Sequence, residues 1–224
     1  MIREIGKFFA KVRNSLERDR GISGRERIRK GGRYMLGTAL APFYLRRCDR
    51  VGVRGRTIGR PLIINEGVVE LGDDFVINSE FGPVEIAARG SGTIRIGDRA
   101  VINYGTAITS TARLTIGNDV TIGPYSIVGD DDRTFEDQLD SSIEIGDGVW
   151  LAGRVTVLPG ARIGKGAVIS AGSIVSGEIP PRVVARGIPA RPIRSVDARR
   201  GEGAGTPPVL NGARSGTEST RADK

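Results

Sequence analysis

Residues 129–142 read GDDDRTFEDQLDSS, and within them Asp130, Asp131 and Asp132 stand in succession. Carboxylates crowded in this way repel one another's charge, which favours the protonated form and makes one of them a better base near neutral pH. A base so placed takes a proton from a nucleophile during group transfer. Two other readings stay open for the same residues, a solvated turn and a cation site. Arg133 works against the base reading by favouring the ionised form of its neighbours. The 224 residues contain no histidine, so the side chain that most often does this work is missing. Cys48 is the only cysteine, which excludes an intrachain disulfide framework, and no zinc site is expected.

The elements that must carry this cluster repeat with a fixed period of six. From Ile145 an aliphatic residue recurs at Leu151, Val157, Ile163, Ile169 and Val175, and Val149, Val155, Ala161, Ala167 and Ser173 stand four positions after each interior residue. The same frame holds at Ile116, Ile122 and Val128, at Ile96, Ile102 and Ile108, and at Leu71 and Ile77. Six is not a helical period. It fits coils of three short flat strands around a triangular prism, aliphatic residues inside, small residues near the corners and Gly, Asn or Asp at the turns. An antiparallel sandwich would need period-two alternation and frequent hairpin signals, which residues 143–175 lack. Against an 18-residue coil, the steps Leu71 to Ile96, Ile96 to Ile116 and Ile116 to Ile145 are longer by about 7, 2 and 11 residues, and these excesses are expected to be loops leaving the prism. The longest is the acidic segment, and loops on a rigid scaffold are where chemistry is usually placed.

Charge is unevenly distributed. Residues 1–60 carry 17 Lys/Arg against 5 Asp/Glu, a net +12, whereas residues 61–224 carry 17 against 21, a net −4. Ile2, Ile5, Phe9, Val12 and Leu16 form one apolar stripe on a helix flanked by Arg3, Lys7, Lys11 and Arg13. That stripe either packs on the chain's own prism or another subunit, or lies on an anionic membrane surface. The apolar stretch from Tyr34 to Leu45 is too short to cross a bilayer. Without a secretory signal pattern, the expected location is cytoplasmic, with peripheral contact at the inner membrane face. Aromatic content of 5% and the absence of a base-reading motif argue against a nucleic-acid partner. The division read from the sequence is a basic helical arm at 1–50, a β-helix domain at 51–194 and a disordered, Gly-, Ser-, Thr- and Pro-rich tail at 195–224.

Three segments carry a resemblance: RIGDRAVINYG, TIGNDVTIGPYSIV, and IEIGDGVWLAGRVTVLPGARIGKGAVISAGSIVSGEIPPRVVARGIPARPIR. With Trp150, Pro159-Gly160 and Ile188-Pro189-Ala190, they closely resemble the sugar and polysaccharide O-acetyltransferases of the hexapeptide-repeat acyltransferase family over residues 61–194. The resemblance implies an all-β, left-handed parallel β-helix of hexapeptide repeats. The hand runs against the right-handed rule for parallel crossovers and is taken from the family. It further implies a homotrimer that binds acetyl-CoA between neighbouring prisms and moves the acetyl group to a hydroxyl or amine of a small-molecule or lipid-linked sugar.

Carried onto this chain, the family's CoA contacts fall at Gly153, Ala171, Ser176, Gly177, Arg191 and Arg194. Gly153 and Ala171 would let a pantetheine arm lie flat, the two arginines would meet phosphates, and Gly177 departs from the lysine often found there. A solvated strand or helix end is the other reading of Arg191 and Arg194. Asn103, in INYG, matches a position that touches the acceptor, and Tyr104 and Asp131 are grouped with it; an αL corner residue is the other reading of Asn103. The family's histidine would fall at Asp132 to Thr134, so Asp130 or Asp132 is the expected replacement base. Two further readings remain: a catalytically degenerate trimer serving as scaffold, and a sugar- or lipid-binding protein without turnover.

Overall fold

The computed structural model describes residues 36–130 and 141–197. Twenty-one short strands wind into a left-handed parallel β-helix of about six coils, with one side of each coil in each of three sheets. The first sheet stacks β1 (Arg50–Val51), β4 (Val68–Leu71), β7 (Thr93–Ile96), β10 (Arg113–Ile116), β13 (Ile143–Ile145), β16 (Arg162–Ile163) and β19 (Glu178–Ile179). The second stacks β2 (Arg56–Gly59), β5 (Val76–Ser79), β8 (Val101–Ile102), β11 (Thr121–Ile122), β14 (Trp150–Leu151), β17 (Val168–Ile169), β20 (Val183–Gly187) and β21 (Ala190–Ser195). The third contains β3 (Leu62–Asn65), β6 (Glu85–Ala88), β9 (Ala107–Ser110), β12 (Ile127–Gly129), β15 (Thr156–Val157) and β18 (Ile174–Val175). Every pairing is parallel except the last, in which β21 folds back antiparallel on β20.

The six-residue frame is the interior of the prism. Ile145, Leu151, Val157, Ile163, Ile169 and Val175 are all buried, as are Val149, Val155, Ala161, Ala167 and Ser173 at the corners. Stacked aliphatics in register, such as Ile102, Ile122, Leu151 and Ile169, form continuous columns. Each contributes roughly 2 kcal/mol by leaving water.

The excess of two residues between Ile96 and Ile116 is not a loop. It is a longer side: β10 spans four residues and buries Leu114 as well as Ile116, and β4, β7 and β13 likewise present two interior residues. A strand lengthens by pairs because its side chains alternate, so two extra residues lengthen the wall without leaving it. The excess between Leu71 and Ile96 divides among this longer side, the turn at 89–92 and a three-residue insertion at the corner bearing Phe81. Of the acidic segment, residues 131–140 lie outside the described residues, as do residues 1–35, with the apolar stripe of 2–16, and the tail from 198.

A short helix, α1, at residues 36–44 closes the first coil. Ala41 on it and Leu45 just after it join the same core as Ile63, Val69 and Phe75. Part of the apolar stretch from Tyr34 to Leu45 is thus spent on capping the prism, while Leu36 and Phe43 stay exposed. No helix among the described residues is long and apolar enough to cross a membrane.

The corner between the first and second sheets is held by a ladder of short polar side chains. Asp73 accepts from the Val53 N–H at 2.9 Å, Asp98 from Asp73 at 2.8 Å, Asn118 from Asp98 at 2.8 Å and Asp147 from Asn118 at 2.9 Å. Outside it, Arg54 pairs with Asp74, Arg99 with Asp119, Lys165 with Asp147 and Arg182 with Asp197.

Candidate functional site

The corner between the second and third sheets is built differently. Four of the residues singled out from the sequence stack along it: Asn103 and Tyr104 on one coil, Gly153 two coils on, and Ala171 on the next. The positions that follow the buried residue of each second-sheet strand are Asn103, Gly123, Ala152, Ser170 and Arg186. Between Asn103 and Arg186 this row therefore carries only small residues over four strand steps, about 19 Å at the usual inter-strand spacing, with Tyr125 and Arg154 beside it on the intervening turns. Gly123 is required there, because a Cβ would lie 2.5 Å from the Ala152 carbonyl carbon.

Buried hydroxyls hold this corner from within. Thr106 Oγ1 donates to the Gly123 carbonyl at 3.2 Å and Ser126 Oγ to that of Ala152 at 3.1 Å. Ser126 Oγ also accepts from the Val155 N–H, and Ser173 Oγ from that of Gly187. Coil geometry is thus fixed by groups that face inward, which leaves the outward positions available.

Asn103 is not in the left-handed region; Gly105 takes that conformation on its coil, with φ of 68°, and Tyr125 on the next, with φ of 56°. The Asn103 side-chain amide donates to the Ile122 carbonyl at 2.8 Å, which fixes its plane. Tyr104 lies between Phe81 and Tyr125, edge to face with both at centroid distances of 5.3 and 5.5 Å. Phe81 and Tyr125 are 58% and 50% exposed, so three rings form an aromatic step beside Asn103. Sequence reasoning missed Phe81 and Tyr125, because a three-residue insertion and a positive-φ tyrosine bring them to Tyr104.

The remaining candidates lie elsewhere on the chain. Ser176 and Gly177 occupy the opposite edge of the third sheet, at its corner with the first, and are exposed. Asp130 stands at that same corner, 5% exposed. Its carboxylate accepts from Ser110 Oγ at 2.7 Å, from Thr111 N at 2.5 Å and Oγ1 at 3.2 Å, and from Ala112 N at 3.1 Å. Both oxygens are therefore committed to the neighbouring coil, and Asp130 anchors the root of the acidic segment. Asp131 and Asp132 lie outside the described residues. Arg191 and Arg194 are on β21, beyond Ala171 at the end of the small-residue wall.

Cys48 cannot replace the missing histidine as a reactive group, because burial, with Asp49 beside it, pushes its thiol up to about 12. Among the described residues no group of three or more His, Cys, Asp or Glu side chains is positioned to hold a metal ion.

A family profile described as "Bacterial transferase hexapeptide (six repeats)" matches residues 142–177. The chain is 38% identical over 113 residues to the galactoside O-acetyltransferase of Escherichia coli, covering 47% of this chain and 56% of that one. It thus spans little more than half the length of that relative. To the "Putative lipopolysaccharide biosynthesis O-acetyl transferase WbbJ" of the same organism it is 34% identical over 151 residues, covering 59% of this chain and 74% of that one. Its fold superposes on AntD, an N-acyltransferase from Bacillus cereus in complex with dTDP and 3-hydroxybutyryl-CoA, with a TM-score of 0.57 and 18% identity over 77% of this chain and 88% of that one. At that identity the likeness is one of fold. The profile falls on the coils whose interior aliphatics the period of six picks out, and with the length of the match to WbbJ it establishes that this chain belongs to the hexapeptide-repeat acyltransferase family.

Proposed function

We propose that this protein transfers an acetyl group from acetyl-CoA to a hydroxyl or amine of a sugar used in building cell-envelope polysaccharide. The observation that carries the reading is the row of small residues Gly123, Ala152, Gly153, Ser170 and Ala171 along one corner, leading from the polar and aromatic end at Asn103 to an arginine-bearing hairpin. A long, narrow donor with an acyl thioester at one end and phosphates at the other suits such a surface. Gly153 and Ala171 lie along its arm and Arg191 and Arg194 near its phosphates, while Asn103 and Tyr104 face the acceptor. Ser176 and Gly177, on the far edge of the third sheet, meet the donor of a neighbouring subunit in a homotrimer. Exposed Leu62 and Ile127 on the outer face of that sheet favour such an association.

The chemistry needs a proton acceptor. The acceptor's oxygen or nitrogen attacks the thioester carbonyl, its proton passes to a carboxylate, and the tetrahedral adduct collapses as the C–S bond breaks. The leaving thiolate takes up the proton, and free CoA thiol is released. With Asp130 committed to four donors, the base in this reading is Asp132, with Asp131 toward the acceptor. Residues 1–50, with their surplus of positive charge, hold the trimer against an anionic membrane surface.

The test is release of CoA thiol from acetyl-CoA by the purified protein over a panel of sugars and nucleotide sugars. Wild-type turnover is expected, reduced about a hundredfold or more in Asp132→Asn. Asp130→Asn is expected to lower thermal stability, because an amide nitrogen would face donors. If acetyl-CoA binds but no acceptor elicits thiol release, the reading fails. The catalytically degenerate trimer then replaces it, a reading that the lack of histidine and the engagement of Asp130 favour.

A further inference from the structure

The terminal hairpin holds a third arginine that the donor contacts above do not include. Arg186 on β20 is the direct register partner of Arg191 on β21, across a two-residue turn formed by Ile188 and Pro189. Directly opposed residues of an antiparallel pair share a face, with Cβ atoms about 5 Å apart. The register then shifts: Ala185 pairs with Pro192, but Val184 pairs with Arg194, leaving Ile193 as the extra residue of a bulge. Arg191 and Arg194 are three positions apart, and without the bulge they would point to opposite faces. A bulge re-aims the side chains beyond it, and here it returns Arg194 to the face of Arg186 and Arg191. The other face carries Ala185 and Ala190 into the core.

Three guanidinium groups thus share one side of a small hairpin, and among the described residues no carboxylate pairs with any of them. Arg191 and Arg194 reach only the main-chain carbonyls of Ala190 and Ser195, at 3.3 and 3.2 Å. Nearby Arg182, by contrast, is paired with Asp197. Like charges directly opposite one another destabilise a strand pair, and an anion held between them removes that penalty.

We propose that Arg186 and Arg191 grip a phosphate of the donor's nucleotide end between them, with Arg194 flanking, so that the chain accepts acyl-CoA and discriminates against acyl-pantetheine. Guanidinium groups suit the task because each presents two parallel N–H donors to phosphate oxygens. The proposal rests on the acyl-CoA reading above.

Titration calorimetry of the full chain with CoA, pantetheine and inorganic pyrophosphate tests it in wild type, Arg186→Gln and Arg186→Lys. Arg186→Gln is expected to weaken CoA about tenfold, the order of a hydrogen bond to a charged group, and to leave pantetheine unchanged, with Arg186→Lys intermediate. The melting temperature of unliganded Arg186→Gln is expected not to fall, since Arg186 is exposed and its removal relieves repulsion. CoA binding that is unchanged in Arg186→Gln, or an equal loss for CoA and pantetheine, overturns the clamp and leaves the donor reading intact. If wild type binds pyrophosphate in an Arg186-dependent way but not CoA, the clamp stands and the donor reading falls. If it binds neither, both fall.

Discussion

Two corners run the length of the same prism, and they use polar residues in opposite ways. At the corner between the first and second sheets, Asp73, Asp98, Asn118 and Asp147 each accept a backbone N–H, and the surrounding arginines and lysine are paired with carboxylates. At the corner between the second and third sheets, the hydrogen bonds that fix the coil come from inward hydroxyls. Its outward residues are an asparagine, an aromatic step, small side chains and arginines that lack ion-pair partners among the described residues. A charge that has found its counterpart within the chain is accounted for by the fold, whereas one left over points to something the fold does not contain. That contrast, more than the number of polar residues, separates scaffold from candidate site.

The comparison breaks most sharply at Gly153. Its backbone is not in the left-handed region, and a Cβ would lie no closer than 3.4 Å to Pro124, so the fold tolerates a side chain there. Gly153→Phe is expected to leave the melting temperature nearly unchanged while weakening CoA binding about a hundredfold, the equivalent of about 2.7 kcal/mol. Equal CoA affinity in the variant would show that the small-residue wall is not where the donor lies.

The inner supports of the two corners differ less. Ser126→Ala removes a buried hydroxyl that serves the carbonyl of Ala152 and the N–H of Val155, at an expected cost of about 2 kcal/mol in chemical denaturation. Asp98→Ala leaves the Asp73 N–H to water at the more exposed corner and is expected to cost about 1 kcal/mol. CoA affinity is expected to stay the same in Asp98→Ala, because the donor is proposed to lie along the other corner.

The smallest effect concerns acid. The N–H of Asn118, with Lys165, holds the Asp147 carboxyl below the ordinary carboxylate range, and the N–H of Val69, with Asn65, does the same for Asp49. A carboxyl with a lowered folded value contributes stability that is present above its unfolded pKa, near 4, and is lost as pH falls through the folded value. The melting temperature should therefore be level from neutral pH to about 5 and fall below about 4. Asp147→Asn keeps an acceptor for the Asn118 N–H, as Asn118 itself does one coil earlier, and is expected to soften that acid loss while changing little at neutral pH.

Much of this architecture is legible in one dimension. Aliphatic residues six apart give the interior columns directly, because each side of a coil needs one buried residue. The two-residue excess misleads as a loop, since Leu114 is a second interior residue on a longer side and a count of lengths does not distinguish the two. Tyr104, Gly153 and Ala171 could be grouped because each stands two positions after an interior residue of the same side of the coil, with Asn103 next to Tyr104. Ser176 and Gly177 stand at the same places after Val175, but one side further round the coil, which assigns them to another corner of the same chain. Arg186 was out of reach for a different reason. Its meaning comes from facing Arg191 across the turn at Ile188-Pro189, and the signal that could have found it was the Gly-Ile-Pro-Ala sequence between the two arginines, read as a hairpin.

The last strand has a consequence for the chain's solubility. A parallel solenoid ends in a row of unpaired backbone groups, and any second solenoid could continue the stack there, as happens in fibrils. Here β20 is covered by β21, whose own edge carries Pro192, which has no N–H to offer, between arginines that repel a like edge. The hairpin proposed to hold the donor is thereby also a stop on the second of the three sheets, where no free parallel edge is left at that end among the described residues for another solenoid to extend.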